Sequence, residues 1–210
     1  MLRALLDALA DDPATGGHDP REEFVELENE LHVVDELMLI GALSISFEDW
    51  AVQTQDLICG IDPGKAGAIA ILDKAGDLVA VYDMPTSKTS TGRQAVDPHG
   101  VAEILRRHEP SMTVLEQVAT RPGEGAVGAF SFGTSYGVVL GVLAALGLKH
   151  KLTRPEAWKK QVGIPAKSDK AVSIAFAKRL VPSCADALAG PKGGLKDGRA
   201  EAVLIATTVL

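Results

Sequence analysis

Two cysteines in 210 residues, Cys59 and Cys184, stand far apart and in unlike surroundings, so neither a disulfide framework nor a zinc knuckle can be built from them. A reducing cytoplasm is the expected home. Long hydrophobic runs are missing too: the longest, Val138 to Leu148, is far short of the roughly 18 residues that a membrane span needs. Asp7 interrupts the only candidate signal-peptide core, so no membrane or export role is expected. Of the five histidines none has a partner at metal-ligand spacing, and His99, His108 and His150 receive no role. What is present is 46% hydrophobic and 23% charged residues, the composition of a globular protein with one substantial core.

The net charge of −7 conceals an asymmetry. Residues 1 to 55 hold 13 acidic side chains against Arg3 and Arg21, whereas Lys149 to Arg199 holds 12 Lys or Arg against Glu156, Asp169, Asp186 and Asp197. A basic region of that density is what a phosphate-bearing partner would meet, and an acidic block would repel the same partner.

The chain divides at about residue 55. Residues 1–55 read as an acidic helical extension, with Phe24, Leu27, Leu31, Val34, Leu37 and Met38 at helical spacing between acids. Residues 56–210 change grammar. Leu57 to Asp62, Ala66 to Leu72 and Leu78 to Asp83 are apolar strands joined by short turns, which predicts an antiparallel meander. Asp97-Pro98 opens a helix to about His108. Thr113 to Val118 is a buried strand, Ala126 to Leu146 a helix and Lys149 to Arg154 a strand. Helices follow at Pro155 to Gln161, Ser168 to Leu180 and Asp197 to Leu210. This order predicts an α/β domain with a five-stranded mixed sheet flanked by helices.

Four carboxylates fall where strand ends and a helix could converge. Asp62 closes the first strand; Glu116 lies inside an apolar strand; Asp197 and Glu201, four apart, share one face of the last helix. An acid in a strand core is costly unless it is paired or binds a cation. Hard oxygen ligands without a His/Cys set suit Mg²⁺ or Mn²⁺, and two such ions can hold a phosphodiester and activate water. Three of the acids also have a plainer reading. Asp62 could form a turn before Pro63, Asp197 could cap a helix, and Glu201 could pair with Arg199 or Lys196.

Taken together, Ile-Cys-Gly-Ile-Asp-Pro-Gly with Gly-Ala-Ile-Ala, then Leu-Glu-Gln-Val, and Asp-Gly-Arg-Ala-Glu-Ala near the end resemble the RuvC-type Holliday junction resolvases, particularly their phage-like branch. Phe-Ser-Phe-Gly-Thr-Ser-Tyr-Gly and Arg-Pro-Glu-Ala-Trp-Lys-Lys-Gln-Val-Gly, with Lys-Ser-Asp-Lys, fit the same branch. The resemblance runs from Leu57 to the end. It implies an RNase H-like fold and Mg²⁺-dependent incision of four-way DNA junctions in recombination and repair, by a symmetric homodimer in a bacterial or phage-infected cell, without a small-molecule cofactor.

Carried onto this chain, the resemblance makes Asp62, Glu116 and Glu201 catalytic and metal-binding, with Asp62 shared by two Mg²⁺ and Mn²⁺ able to substitute. The family's fourth acid stands three before the last, where this chain has Gly198; Asp197 is the substitute. Where many cellular resolvases carry a wedging aromatic after Glu-Gln-Val, this chain has Ala119. Phe130, Phe132 and Tyr136 become the candidates to stack on unpaired bases, with packing as the alternative.

Lys159, Lys160, Lys167 and Lys170 are the expected DNA-backbone contacts, Lys170 matching a lysine that faces DNA in the resemblance. Gly133, Gly137 and Gly141 would form a bare ridge suited to helix packing, and Trp158 an anchor in a core or interface. The rival functions are an RNase H-like nuclease on structured RNA or other branched DNA, an inactive junction-binding module, and an actin-like ATP-binding protein.

Overall fold

The structure, a computed structural model, describes residues 56–210 except 120–122, 124, 167 and 191–192. The acidic extension and Lys167 lie outside the described residues. Strands β1 (Ile58–Asp62), β2 (Ala68–Leu72) and β3 (Leu78–Asp83) form the antiparallel meander expected from their short turns. Helix α1 (Pro98–His108) leads to β6 (Met112–Glu116), helix α2 (Ala126–Ala145) to β7 (His150–Thr153), and both strands join the sheet in parallel. The order is β3-β2-β1-β6-β7, a five-stranded mixed sheet. Helices α3 (Pro155–Gln161), α4 (Lys170–Leu180) and α5 (Asp197–Ala206) complete the fold. This is the five-stranded mixed sheet flanked by helices that the order of elements predicts.

Alternation along the strands sorts two cores, one on each side of the sheet. Cys59, Ile61, Ile69, Ile71 and Leu115 pack with Val101, Ile104 and Leu105 of α1 and Val139 and Leu143 of α2. Ile58, Ala68, Ala70 and Val114 face the other way, onto Val203, Leu204 and Ile205 of α5 and Ala177 of α4. That second face is built of small residues, and the consequence is a close approach by α5. A Cβ at Gly60 would meet the Ala202 carbonyl oxygen at 2.2 Å and the Ala206 nitrogen at 2.5 Å. The helix carrying two of the candidate acids is thereby seated directly on the strand carrying a third.

Three features differ from the sequence reading. Between β3 and α1 the chain forms a separate hairpin, β4 (Thr86–Lys88) with β5 (Gln94–Val96), whose polar composition hid its strands. The last helix ends at Ala206 in a 3₁₀ turn, Thr207–Val209, where the Thr207 and Thr208 hydroxyls donate to carbonyls three residues back. Helix α2 is 20 residues with a mean hydropathy of 1.6, long and apolar enough by those criteria to cross a membrane, the one such helix among the described residues. Its Gly, Ser and Thr break the apolar run as read from the sequence. Ser135, Val139 and Leu143 seat one face of it on the sheet, while Val127 and Phe130 are exposed and a Cβ at Gly133, Gly137 or Gly141 would meet nothing within 4 Å among the described residues.

Candidate active site

Asp62 and Glu116 are the last residues of β1 and β6. The strands run parallel with Ile61 opposite Leu115, so one step further on the two carboxylates leave neighbouring strand ends on the α5 face. Asp197 opens α5 and Glu201 follows one turn later. All four line a single cavity of about 1530 Å³, together with Lys65, Arg93, Lys159, Lys160 and Lys170.

Burial, and after it the crowding of like charge, shows at Asp62. Burial pushes its carboxyl up from the ordinary 3.8 to about 7; Glu116 adds to the rise, the Gly64 N–H donating at 3.2 Å opposes it, and Glu201 and Asp197 raise it further. The turn that holds Asp62 is tight. Gly67 donates to the Gly64 carbonyl at 2.8 Å, and a Cβ at Gly67 would meet the Asp62 carbonyl oxygen at 2.2 Å.

Each remaining acid has a defined partner. Glu116, 6% exposed, accepts from the indole Nε1 of fully buried Trp158 at 2.8 Å. Glu201 accepts from the Ser173 hydroxyl at 3.2 Å and pairs with Lys159 at 3.1 Å through the same oxygen, Oε1. Asp197 pairs with Lys170 at 2.5 Å, and that contact holds the Lys170 ammonium above its usual pKa. The alternative pairing of Glu201 with Arg199 or Lys196 is not formed, because both cations go to Asp83.

Arg199 is the residue the sequence reading missed. Its Nε and Nη2 donate to the two Asp83 oxygens at 2.8 and 3.1 Å, and Nη1 donates to the Ala187 and Ala189 carbonyls at 2.8 and 2.9 Å. This fork ties the first turn of α5 to the end of β3 and to the loop before the helix. It also holds the Asp83 carboxyl below the usual carboxylate range. The partners are 116 residues apart, and no local pattern announces them.

Gly198, where the resemblance would put an acid, has a physical reason to be bare. A Cβ there would meet the Ala66 carbonyl oxygen at 2.4 Å and the Gly67 Cα at 2.9 Å. The helix start abuts the Asp62 turn at this point, and the carboxylate sits one position earlier.

Among the other candidates, Lys159, Lys160 and Lys170 line the cavity, as do Phe130, 78% exposed, and Phe132. Tyr136 does not line it: the ring packs against the α1/α2 core. Trp158 is wholly inside, the core anchor that its place in the sequence suggests.

No family model matches the chain, and no curated protein sequence does. Among solved structures it is similar to T. thermophilus RuvC in complex with a Holliday junction substrate, at 17% identity and a TM-score of 0.49 over 72% of this chain and 90% of that one. The fowlpox virus Holliday junction resolvase is similar at 18% and 0.44, over 73% and 96%. The yeast mitochondrial Holliday junction resolvase is similar at 12% and 0.45, over 71% and 76%. At such identities the likeness concerns the path of the backbone, and the chemistry has to come from this chain's own residues.

Proposed function

We propose that this chain is a divalent-metal-dependent endonuclease that cuts branched DNA, four-way junctions foremost, at two symmetric positions as a homodimer. The observation that carries the reading is the arrival of Asp62, Glu116, Asp197 and Glu201 in one cavity from two strand ends and one helix. The choice of branched DNA follows from the motifs of the sequence.

The donor set fits a hard cation, because every candidate ligand is a carboxylate oxygen and the repulsion felt at Asp62 is what a cation would relieve. Among the described residues no three such groups stand in ligating range together, and Glu201 and Asp197 are held by Lys159 and Lys170 instead. Binding therefore requires those two carboxylates to exchange an ammonium for the ion. Two Mg²⁺ or Mn²⁺ ions held by the four acids would supply Lewis acidity at the scissile phosphate and a lowered pKa for the attacking water.

The chain's own groups do the rest. Released from Glu201 and Asp197, Lys159 and Lys170 become available to phosphate oxygens, as Lys160 already is, and such contacts position a duplex without reading its sequence. Phe130 offers an exposed ring at the cavity for an unpaired base, with Phe132 beside Gly64. Cutting two opposed strands needs two sites related by a twofold axis. The uncharged outer face of α2, without a neighbour among the described residues at its glycine ridge, supports a second copy.

Incubation with Mg²⁺ and a panel of four-way junction, replication fork, linear duplex and RNA hairpin tests the proposal. Paired nicks in the junction are expected. Preferential cutting of RNA would transfer the reading to another nuclease class, and binding without incision in both Mg²⁺ and Mn²⁺ would reduce it to a junction-binding module.

A further inference from the structure

Nothing in the motifs accounts for the β4–β5 hairpin. Residues 86–96 contain no acid; they carry Lys88, Arg93 and five hydroxyls, Thr86, Ser87, Thr89, Ser90 and Thr91. The tip is internally braced. Thr89 N–H donates to the Arg93 carbonyl at 2.8 Å, Gly92 N–H to the Thr89 carbonyl at 2.8 Å, and Arg93 N–H to the Thr89 hydroxyl oxygen at 3.2 Å, which in turn meets the Thr91 hydroxyl at 3.0 Å. Gly92 takes the left-handed conformation, φ +78°, that the turn demands.

The base is anchored by buried Met84 and Val96 and by Asp97 N–H donating to the Pro85 carbonyl at 2.9 Å. A two-stranded ribbon has little stability of its own, and the tip residues are exposed and add nothing to the core. Yet Thr89, Thr91, Arg93 and Gln94 line the same cavity as the four acids. Lys159 and Lys170 are there neutralised by Glu201 and Asp197, whereas Arg93 has no ion pair among the described residues.

We infer that the β4–β5 hairpin is a phosphate-binding wall of this cleft, Arg93 and the Thr89 and Thr91 hydroxyls holding the sugar–phosphate backbone of the strand that enters it. The inference rests on the nuclease reading and adds to it a backbone contact outside the acid and lysine cluster. Hydroxyls and a guanidinium on a preformed turn suit phosphate oxygens and carry no base preference.

The test measures four-way junction affinity in EDTA over a salt series, and single-turnover cleavage at saturating Mg²⁺ and enzyme, for wild type, Arg93→Ala, the triple Thr89→Ala/Thr91→Ala/Arg93→Ala, and Arg106→Ala. Arg106 is exposed on α1 and lines no part of the cavity, so it controls for bulk charge. Arg93→Ala should weaken binding about threefold or more and lower the log–log salt slope by about 1. The triple variant should weaken it further, Arg106→Ala should leave it alone, and the saturated cleavage rate should hold throughout. Wild-type affinity and slope in both hairpin variants of a protein that cuts junctions would overturn the inference, as would an equal loss in Arg106→Ala. A wild type that binds no branched DNA would overturn the nuclease reading first and this inference with it.

Discussion

Trp158 and Glu116 form a buried donor–acceptor pair, indole Nε1 to carboxylate Oε1 at 2.8 Å, with no part of the indole exposed to solvent. An acid at a strand end packed against apolar side chains is costly unless its charge is hydrogen-bonded, and the indole meets that need while fixing which way the carboxylate turns. Trp158 also lies under the Lys159 ammonium, 5.0 Å from the ring centroid, and Lys159 in turn holds Glu201. One side chain from α3 thus steadies both the strand acid and the lysine that guards the helix acid.

Trp158→Phe keeps an aromatic ring and removes the donor. Partners that orient metal-binding carboxylates are worth roughly 10–100-fold in metal affinity or activity. Cleavage of a four-way junction should therefore slow by about that factor and need more Mg²⁺ for half-maximal rate, with junction affinity in EDTA within about twofold of wild type. A purely structural role would lower Tm and leave the Mg²⁺ requirement where it was. The lost bond to a charged acceptor should cost about 1.5–3 kcal/mol of stability.

Asp62 gives the metal-free protein a pH dependence of definite sign. Its carboxyl titrates near 7 in the folded chain, above the ordinary 3.8, so between these values the folded state binds the extra proton. Stability should fall as pH rises from about 4 to 7, by at most about 1.4 kcal/mol per pH unit from this group, and level off above. Asp62→Asn should lack that slope and melt higher than wild type at pH 8 in EDTA. Thermal melts of the two proteins across that range check it, and adding Mg²⁺ should stabilise the wild type more than the variant.

Gly198 offers a test of packing against motif. Placing an acid there, Gly198→Asp, matches the spacing of the resemblance, yet the new Cβ would collide with the Ala66 carbonyl oxygen 2.4 Å away. Backbone cannot yield as a flexible side chain can, and overpacking of this kind costs about 1–3 kcal/mol or more. The variant should melt lower and cut more slowly, and Gly198→Ala should show the same loss without any added charge. An unchanged Tm in Gly198→Ala would mean that α5 does not sit against the Asp62 turn.

Much of this arrangement can be read from the residues themselves. Apolar strands with short Gly-containing turns declare the meander, and an acid inside Val-Leu-Glu-Gln-Val declares a site because burial makes it expensive. Spacing alone puts Asp197 and Glu201 on one helix face. What the sequence hides is long-range pairing: nothing near Arg199 points to Asp83, and nothing near Trp158 points to Glu116. The β4–β5 hairpin hides for a different reason, since its strands are too short and polar to alternate. Tyr136, for which the sequence leaves base stacking or packing open, lies in the middle of α2 and packs on the core.

The most direct test sets wild type beside Asp62→Asn on a four-way junction with Mg²⁺. Wild type should nick two opposed strands symmetrically, and Asp62→Asn should bind the junction as tightly or more tightly and leave it intact. Incision by Asp62→Asn at the wild-type rate would contradict the placing of the chemistry among these four carboxylates.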